Sequence, residues 1–232
     1  MESEFYSVIE SVVHGIAAMR SRTAVTPRPA ARKVKRRAAE MLAAAAKVFA
    51  RRGYHGASTQ DIADVLGIRQ ASLYYYFESK EAALEAVCAD GVEDYVIRAL
   101  AVLRGPGSAS DKVARLVLHH LSPVVERQDF TLAFLGERRF LPKPARDRIR
   151  ALERRYERII QKVIEQGMAS GEFRPELDAR MATLALLGLG NSATAWYGRE
   201  PGATFERITS NYIDLLVRAF RKGNAPQLRV TH

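Results

Sequence analysis

Residues 58–80 read STQDIADVLGIRQASLYYYFESK, two short amphipathic segments on either side of a glycine. Ser58 or Thr59 is suited to cap a first helix, and Asp61, three residues after Ser58, supplies the acidic partner of a capping box and suits the positive helix end. Ile62, Val65 and Leu66 recur at helical spacing as one apolar face, while Ala63 is small enough for a second helix to cross closely. Gly67 ends that helix, because glycine takes the left-handed backbone at no steric cost, and Ile68 folds back onto the preceding turn. A second helix is predicted from Gln70 to Phe77. Leu73 and Phe77 share its inner face and pack on Ile62 and Leu66, which leaves Arg69, Gln70, Ser72, Tyr75 and Tyr76 outside.

Three consecutive tyrosines cannot share one face, so at least one ring leaves the core, and a phenol hydroxyl is a good donor to phosphate oxygens. Rings packed mostly in a core are the plainer reading; a helix-turn-helix offering its second helix to a major groove is the one preferred. The run TQDIADVLGIRQASLYYYFESKEAAL, with its LY, aromatic, F and SKE signature, closely resembles the DNA-binding segment of the tetracycline repressor (TetR) family of bacterial regulators. That resemblance implies an all-α fold, with an N-terminal three-helix helix-turn-helix domain and a larger helical domain for ligand binding and dimerisation. It also implies that Thr59, Tyr74, Tyr76 and Lys80 hold the sugar-phosphate backbone, while Gln60, Arg69, Gln70, Ala71, Ser72 and Tyr75 lie nearest the bases. Lys80 opens a further helix, where its ammonium joins exposed amides in facing a phosphate.

The chain has 232 residues, 47% of them hydrophobic, enough for a sizeable core, and a net charge of +10 that favours a polyanionic partner. One cysteine, Cys88, excludes an internal disulfide framework and fits a reducing cytoplasm; with five scattered histidines it gives no metal-ligand spacing, and no cofactor is expected. No apolar run approaches the roughly 20 residues needed to span a bilayer, so no membrane role is expected. GxSxG, HExxH, P-loop and GxGxxG patterns are absent, which argues against an enzyme.

Four blocks follow: an extension and basic arm at 1–32, the helix-turn-helix domain at 33–82, the ligand and dimer domain at 83–223, and a tail at 224–232. From Met1 to Met19 apolar residues fall at helical spacing, but Glu2, Glu4 and Glu10 give the wrong charge for an export signal. A docking helix and a frayed extension, or a start codon placed too early, are the alternatives there. Arg20 to Arg37 carries eight basic residues, no acid and two prolines; it reads equally as a DNA-tracking arm and as solvated charge. A supporting helix from about Arg36 to Arg52 puts Met41, Leu42, Ala45, Val48 and Phe49 on one stripe and ends at Gly53.

A fourth helix, from Lys80 to about Arg104, continues an apolar stripe through Val87, Val92, Val96 and Leu103 and ties the reading head to the remainder. After the GPGSAS break at 105–110, further helices are expected over Asp111–Gln128, Phe130–Leu141, Arg146–Met168, Asp178–Tyr197 and Phe205–Arg221. Apolar residues run nearly all round the fourth of these, so it is expected to be buried on several sides. Leu184, Gly188, Ser192 and Ala195 on it, with Ile208, Tyr212, Leu215, Leu216 and Ala219 on the last helix, are the expected dimer interface. The resemblance implies a four-helix bundle with a second subunit there, and a homodimer suits a palindromic DNA operator; an internal core pair is the alternative.

Phe130, Phe134, Phe140, Trp196 and Tyr197 compose an apolar cavity with His119, His120, Arg138 or Arg139 as polar anchors; ordinary packing accounts for each singly as well. The runs GEFRPELD and WYGREPG resemble a subgroup that regulates fatty-acid and steroid catabolism, in which an acyl-CoA ester releases the repressor and arginines hold its phosphates. Cationic amphiphiles, the ligands of drug-efflux regulators, need buried carboxylates, and only Asp129 and Glu137 stand near the aromatic cluster in sequence. The other functional reading is a nucleoid-associated or division-control DNA-binding protein that answers no ligand.

Overall fold

The computed structural model describes residues 29–222, with side chains from residue 36 onward. The expectations for Met1–Met19, for the arm before residue 29 and for the tail at 224–232 lie outside the described residues. Nine α-helices are present among the described residues: α1 (Pro29–Gly56), α2 (Thr59–Leu66), α3 (Gln70–Leu73), α4 (Lys80–Arg104), α5 (Ala109–Glu126), α6 (Gln128–Glu137), α7 (Lys143–Ala169), α8 (Ala179–Trp196) and α9 (Phe205–Phe220). A 3-10 turn, Arg138–Phe140, links α6 to α7. The all-α expectation therefore holds.

α1 begins earlier than Arg36, at Pro29, where the fixed φ of proline suits a first helical turn. The chain divides into two compact units after Glu40. On the first, Arg36 and Arg37 reach Glu40 at 3.5 and 3.1 Å, one helical turn away. All that follows concerns the second, from Met41 on.

Its first core cluster gathers Met41, Ala45 and Phe49 of α1, Ile62 and Ala63 of α2, then Leu73, Phe77, Leu84 and Val87. Gly53, at φ 65° and ψ 170°, breaks the helical path near the end of α1. Ser58 and Asp61 form the expected capping box, with amide bonds of 2.8 and 3.1 Å, and Gly67 closes α2 at φ 64°. Two local expectations are corrected. Val65 is 47% exposed, because the buried edge of α2 runs through Ile62, Ala63 and, half-buried, Leu66. Regular α-helix stops at Leu73 and not at Phe77; the chain tightens so that the Tyr76 and Phe77 amides both bond the Leu73 carbonyl, at 2.8 and 3.0 Å.

The same cluster includes Ala133 of α6, Leu141 just after the 3-10 turn, and Ala145 and Ile149 of α7, so the helix-turn-helix core is closed from behind by the larger helical part. α4 serves both: its start packs with the reading helices, and its later turns join the second cluster with α5, α7, α8 and α9. The GEFRPELD run is a turn that caps this cluster. Glu172 accepts from the Ala109 and Ser110 amides at 2.7 and 2.9 Å, Phe173 is buried, and the Arg174 amide bonds the Phe220 carbonyl at 2.9 Å.

α8 is not buried all round. Met181 and Leu184 are exposed, as are Gly188, Ser192 and Ala195, and on α9 Leu215 is 54% exposed beside exposed Ala219. Ile208 and Leu216, expected in the same seam, instead face inward at 7% and 4% exposure, because the inner stripe of α9 runs Ile208, Ile213, Leu216, Val217, Phe220. Tyr212 lies between the two faces, edge-on to Trp196. No described helix is long and apolar enough to cross a membrane.

Candidate nucleic-acid interface and cavity

The outward side of α2 and α3 presents the expected reading residues. Gln60, Arg69, Ala71, Ser72, Tyr74, Tyr75 and Tyr76 are all exposed, Tyr75 most of all at 88%. Thr59 and Gln70 are half-buried because they bond each other: the Gln70 amide nitrogen donates to the Thr59 hydroxyl at 2.7 Å, and the Tyr74 hydroxyl lies 3.4 Å from the same oxygen. Gln60 is drawn to Asp64 at 2.6 Å. Arg69, the N-cap of α3, makes no capping bond and leaves its guanidinium on the surface.

Lys80 departs from expectation. Its ammonium donates to the Tyr54 and Ala57 carbonyls at 2.9 and 3.0 Å and sits 4.3 Å from the Tyr54 ring centroid. The first turn of α4 lies under residues 54–57, the last turn of α1 beyond the Gly53 break and the residue after it, so the side chain meets these carbonyls before it meets solvent. Its first task is thus to staple the end of α1 where the chain passes into α2. Charge-assisted hydrogen bonds contribute about 1.5–3 kcal/mol each. Lys80→Met is therefore expected to lower the urea midpoint as well as weaken all DNA sequences alike, whereas a lysine that only touched phosphate would leave the melt unchanged.

Sequence reasoning missed the partners of this staple. The Tyr54 hydroxyl donates to Glu81, which with burial raises the phenol to about 12. The Tyr54 amide donates to Glu137 at 2.7 Å, and Phe140 stacks on Tyr54 at 5.5 Å and meets His55 edge-on at 4.6 Å. Phe140, expected at the ligand, is thus part of a latch between the reading head and the end of α6.

A cavity of about 340 Å³ opens between α4, α5, α6, α7 and α8. His120, Phe130, Phe134 and Arg138 line it as expected. Trp196 and Tyr197 do not: Trp196 turns to Tyr212, and Tyr197 lies in surface grooves beside Leu132 and Phe205. Nor do His119 and Arg139 line it. Sequence reasoning also missed Tyr95 and Tyr156, whose rings stack at 5.2 Å across the cavity wall; each sits on a helical stripe that faces the other only once α4 lies along α7. The carboxylates are also corrected. Asp94, Glu153 and Glu157 line the cavity, not Asp129 and Glu137. Each is already matched, by Arg98 at 2.8 Å, Arg138 at 3.5 Å and Arg180 at 2.7 Å.

Two family descriptions match the sequence: bacterial regulatory proteins of the tetR family over residues 41–87, and the tetracyclin repressor-like C-terminal domain over 106–220. The chain belongs to the TetR family. It is a DNA-binding transcriptional regulator with the helix-turn-helix head and helical body of that family. The repressor KstR2 of Mycolicibacterium smegmatis is 26% identical over 77% of this chain and 87% of its own. The TetR-family regulator PfmR of Thermus thermophilus is 28% identical, with a TM-score of 0.70 over 79% of this chain and 96% of its own. FadR of Bacillus subtilis, solved in complex with stearoyl-CoA, shares the fold at 23% identity, with a TM-score of 0.68 over 79% of this chain and 99% of its own.

Within this TetR-family cavity His120 is held on three sides. Its Nδ1 lies 3.2 Å from the Tyr156 hydroxyl, the Tyr95 hydroxyl donates to its carbonyl at 3.4 Å, and Gly190 of α8 faces its ring so closely that an added Cβ would lie 2.1 Å from Cδ2. Burial pushes the imidazole down to about 4, so the ring is neutral at pH 7. An unfolded chain titrates near 6.5 and binds more protons between those values, so stability is held above pH 6.5 and lost as pH falls toward 4. The loss is on the order of 3 kcal/mol for His120, and His119, pushed down to about 4 by burial, adds to it in the same direction. Urea melts at pH 7 and pH 5 are expected to show about 2 kcal/mol of this loss from His120, the remainder falling between pH 5 and 4, and His120→Asn to reduce it.

Proposed function

We propose that the chain is a repressor that holds a palindromic operator as a homodimer and is released when an acyl-CoA ester enters the cavity. The observation that carries this is α4. Its first residue, Lys80, staples the reading head, and its later residues Gly91, Val92, Asp94 and Tyr95 form one wall of the cavity. A ligand that fits the cavity better when α4 is displaced must weaken DNA binding by the factor by which DNA weakens the ligand. The exposed stripe of Met181, Leu184, Gly188, Ser192, Leu215 and Ala219 supports a second copy of the chain packing there and setting the separation of two heads. Leu184 and Gly188 also line the cavity, so ligand and partner press on one helix.

The acyl class is supported by the apolar and aromatic part of the wall and by the stearoyl-CoA bound to FadR. The three cavity carboxylates favour a second reading, a cationic amphiphile. It is the weaker one, because each carboxylate already has an arginine that the cation would have to displace.

On the DNA side, Arg69 is the cleanest test of base reading, since Gln70 is tied to Thr59. Arg69→Ala is expected to relax preference at one base pair by about 1–3 kcal/mol, as loss of a bidentate contact does. Competition between operator variants measures it; an equal loss on every sequence would place Arg69 on phosphate instead.

A further inference from the structure

Among the described residues three hydroxyl groups line the cavity, those of Tyr95, Thr131 and Tyr156, and the protons of all three are spent inside the protein. The Tyr95 hydroxyl donates to the His120 carbonyl at 3.4 Å, and that of Thr131 to the Pro123 and Arg127 carbonyls at 3.1 and 3.3 Å. A carbonyl can only accept, so the direction of these bonds is fixed. For Tyr156 the direction follows from the state of His120. The neutral imidazole carries a single ring proton. Its Nε2 edge is pressed against α8, where an added Cβ on Gly190 would lie 2.7 Å from Nε2, and the Leu187 backbone and the Asn191 side chain accept from the ring on that side. The proton therefore sits on Nε2 and Nδ1 is bare, so the Tyr156 hydroxyl, 3.2 Å away, donates to Nδ1.

Each of these oxygens has used its one proton and keeps an accepting lone pair for the cavity. Burial raises both phenols, so each stays protonated at pH 7. Donors on the wall are fewer. Arg127 is held by Asp90 at 2.6 Å, Arg138 by Glu153 at 3.5 Å, and the Asn191 amide stands on the exposed edge of α8. Nor can Tyr156 readily turn its proton outward. Its ring is stacked between Tyr95, at 5.2 Å, and His120, at 5.9 Å. Reversal would also move the imidazole proton from Nε2 to Nδ1 and leave the acceptors on α8 without their donor in a buried place, which is costly.

We infer that this end of the cavity selects an effector whose hydrocarbon part carries a hydroxyl group, which donates to the Tyr156 oxygen, over a plain alkyl chain or a ketone. A ketone would set its own lone pairs against those of the wall, and an alkyl chain would cover the Tyr156 oxygen without bonding it. The inference deepens the acyl-CoA reading and rests on it for the ester alone; the choice among acyl groups rests on the hydroxyl directions. It makes Tyr156 the residue that recognises the hydroxyl and His120 the positioning residue that fixes its direction.

A medium-chain secondary alkanol and the methyl ketone of the same skeleton differ in little besides the donor, and both are titrated by calorimetry into the wild-type protein and Tyr156→Phe. The wild-type protein is expected to bind the alkanol about three- to tenfold tighter than the ketone, the net worth of one hydrogen bond, and Tyr156→Phe to bind the two alike. Equal binding of alkanol and ketone by the wild-type protein, or binding of neither, overturns the inference without recourse to a variant. An alkanol preference that survives Tyr156→Phe overturns it as well, since the hydroxyl is then read elsewhere. Operator release by acyl-CoA esters is followed separately. If the alkanol preference appears and depends on Tyr156 but no ester releases the operator, the hydroxyl site stands and the acyl-CoA reading falls. If plain acyl esters release the operator while alkanol and ketone bind alike, the acyl-CoA reading stands and the hydroxyl site falls.

Discussion

Leu73→Ala is expected to lower the stability of the protein by about 2–5 kcal/mol, the range for emptying a leucine site in a packed core, and to abolish operator binding. Leu73 is fully buried, in the cluster that holds Phe49, Ile62 and Phe77. The size of the functional effect follows from the shortness of α3. Four residues make too few hydrogen bonds to hold a helix by themselves, so the placement of Arg69 to Ser72 depends on what anchors them. Leu73 is that anchor, together with the bond from Gln70 to Thr59. Urea melts and operator anisotropy check it together; a variant that melts like wild type and still binds selectively would show that the head is organised by other contacts.

Gly190→Ala is expected to separate the two activities. Its Cβ would lie 2.1 Å from Cδ2 and 2.7 Å from Nε2 of His120, and that ring is backed by Tyr156 and cannot yield freely. Either α8 shifts or the ring is driven into the cavity. Overpacking of this kind costs about 1–3 kcal/mol, and the narrower cavity should weaken the effector by about tenfold or more, as about 1.4 kcal/mol of lost fit already does. DNA binding without effector should survive, since the head's core lies in the other cluster. Thermal melts with operator titrations at rising effector concentration read both effects. Unchanged release by the effector would mean that the ligand does not use this end of the cavity.

The local signals of the head were legible because they are short in range. The Ser58–Asp61 box, the left-handed Gly67 and the burial of Leu73 and Phe77 each depend on residues within a few positions, and each is found where the sequence puts it. The resemblance carried by SLYYYFESK extended this to the whole fold, which the family matches bear out. What was not legible depends on which helix lies against which. The bonds from Lys80 to the Tyr54 and Ala57 carbonyls span 26 and 23 positions and leave no local trace in the sequence. Trp196 and Tyr197 look like cavity residues until α8 turns them away, and Ile208 looks like a partner-facing residue until the inner stripe of α9 is fixed. Tyr95 and Tyr156, 61 positions apart, give no sign of each other at all. The carboxylates were misplaced for the same reason, since nearness in sequence to the aromatic residues is not nearness to the cavity.

Coupling between the cavity and the DNA-reading head is measured most directly by fluorescence anisotropy on a labelled operator fragment from upstream of the protein's own gene. The purified protein is titrated with and without a series of acyl-CoA esters at two salt concentrations, which separates selective from merely electrostatic binding. Selective binding that one ester class weakens severalfold at both salts, with the matching loss of ester affinity when DNA is present, is the predicted result. Selective binding that no ester alters at either salt would contradict the coupling, and would leave a DNA-binding protein that works without this effector.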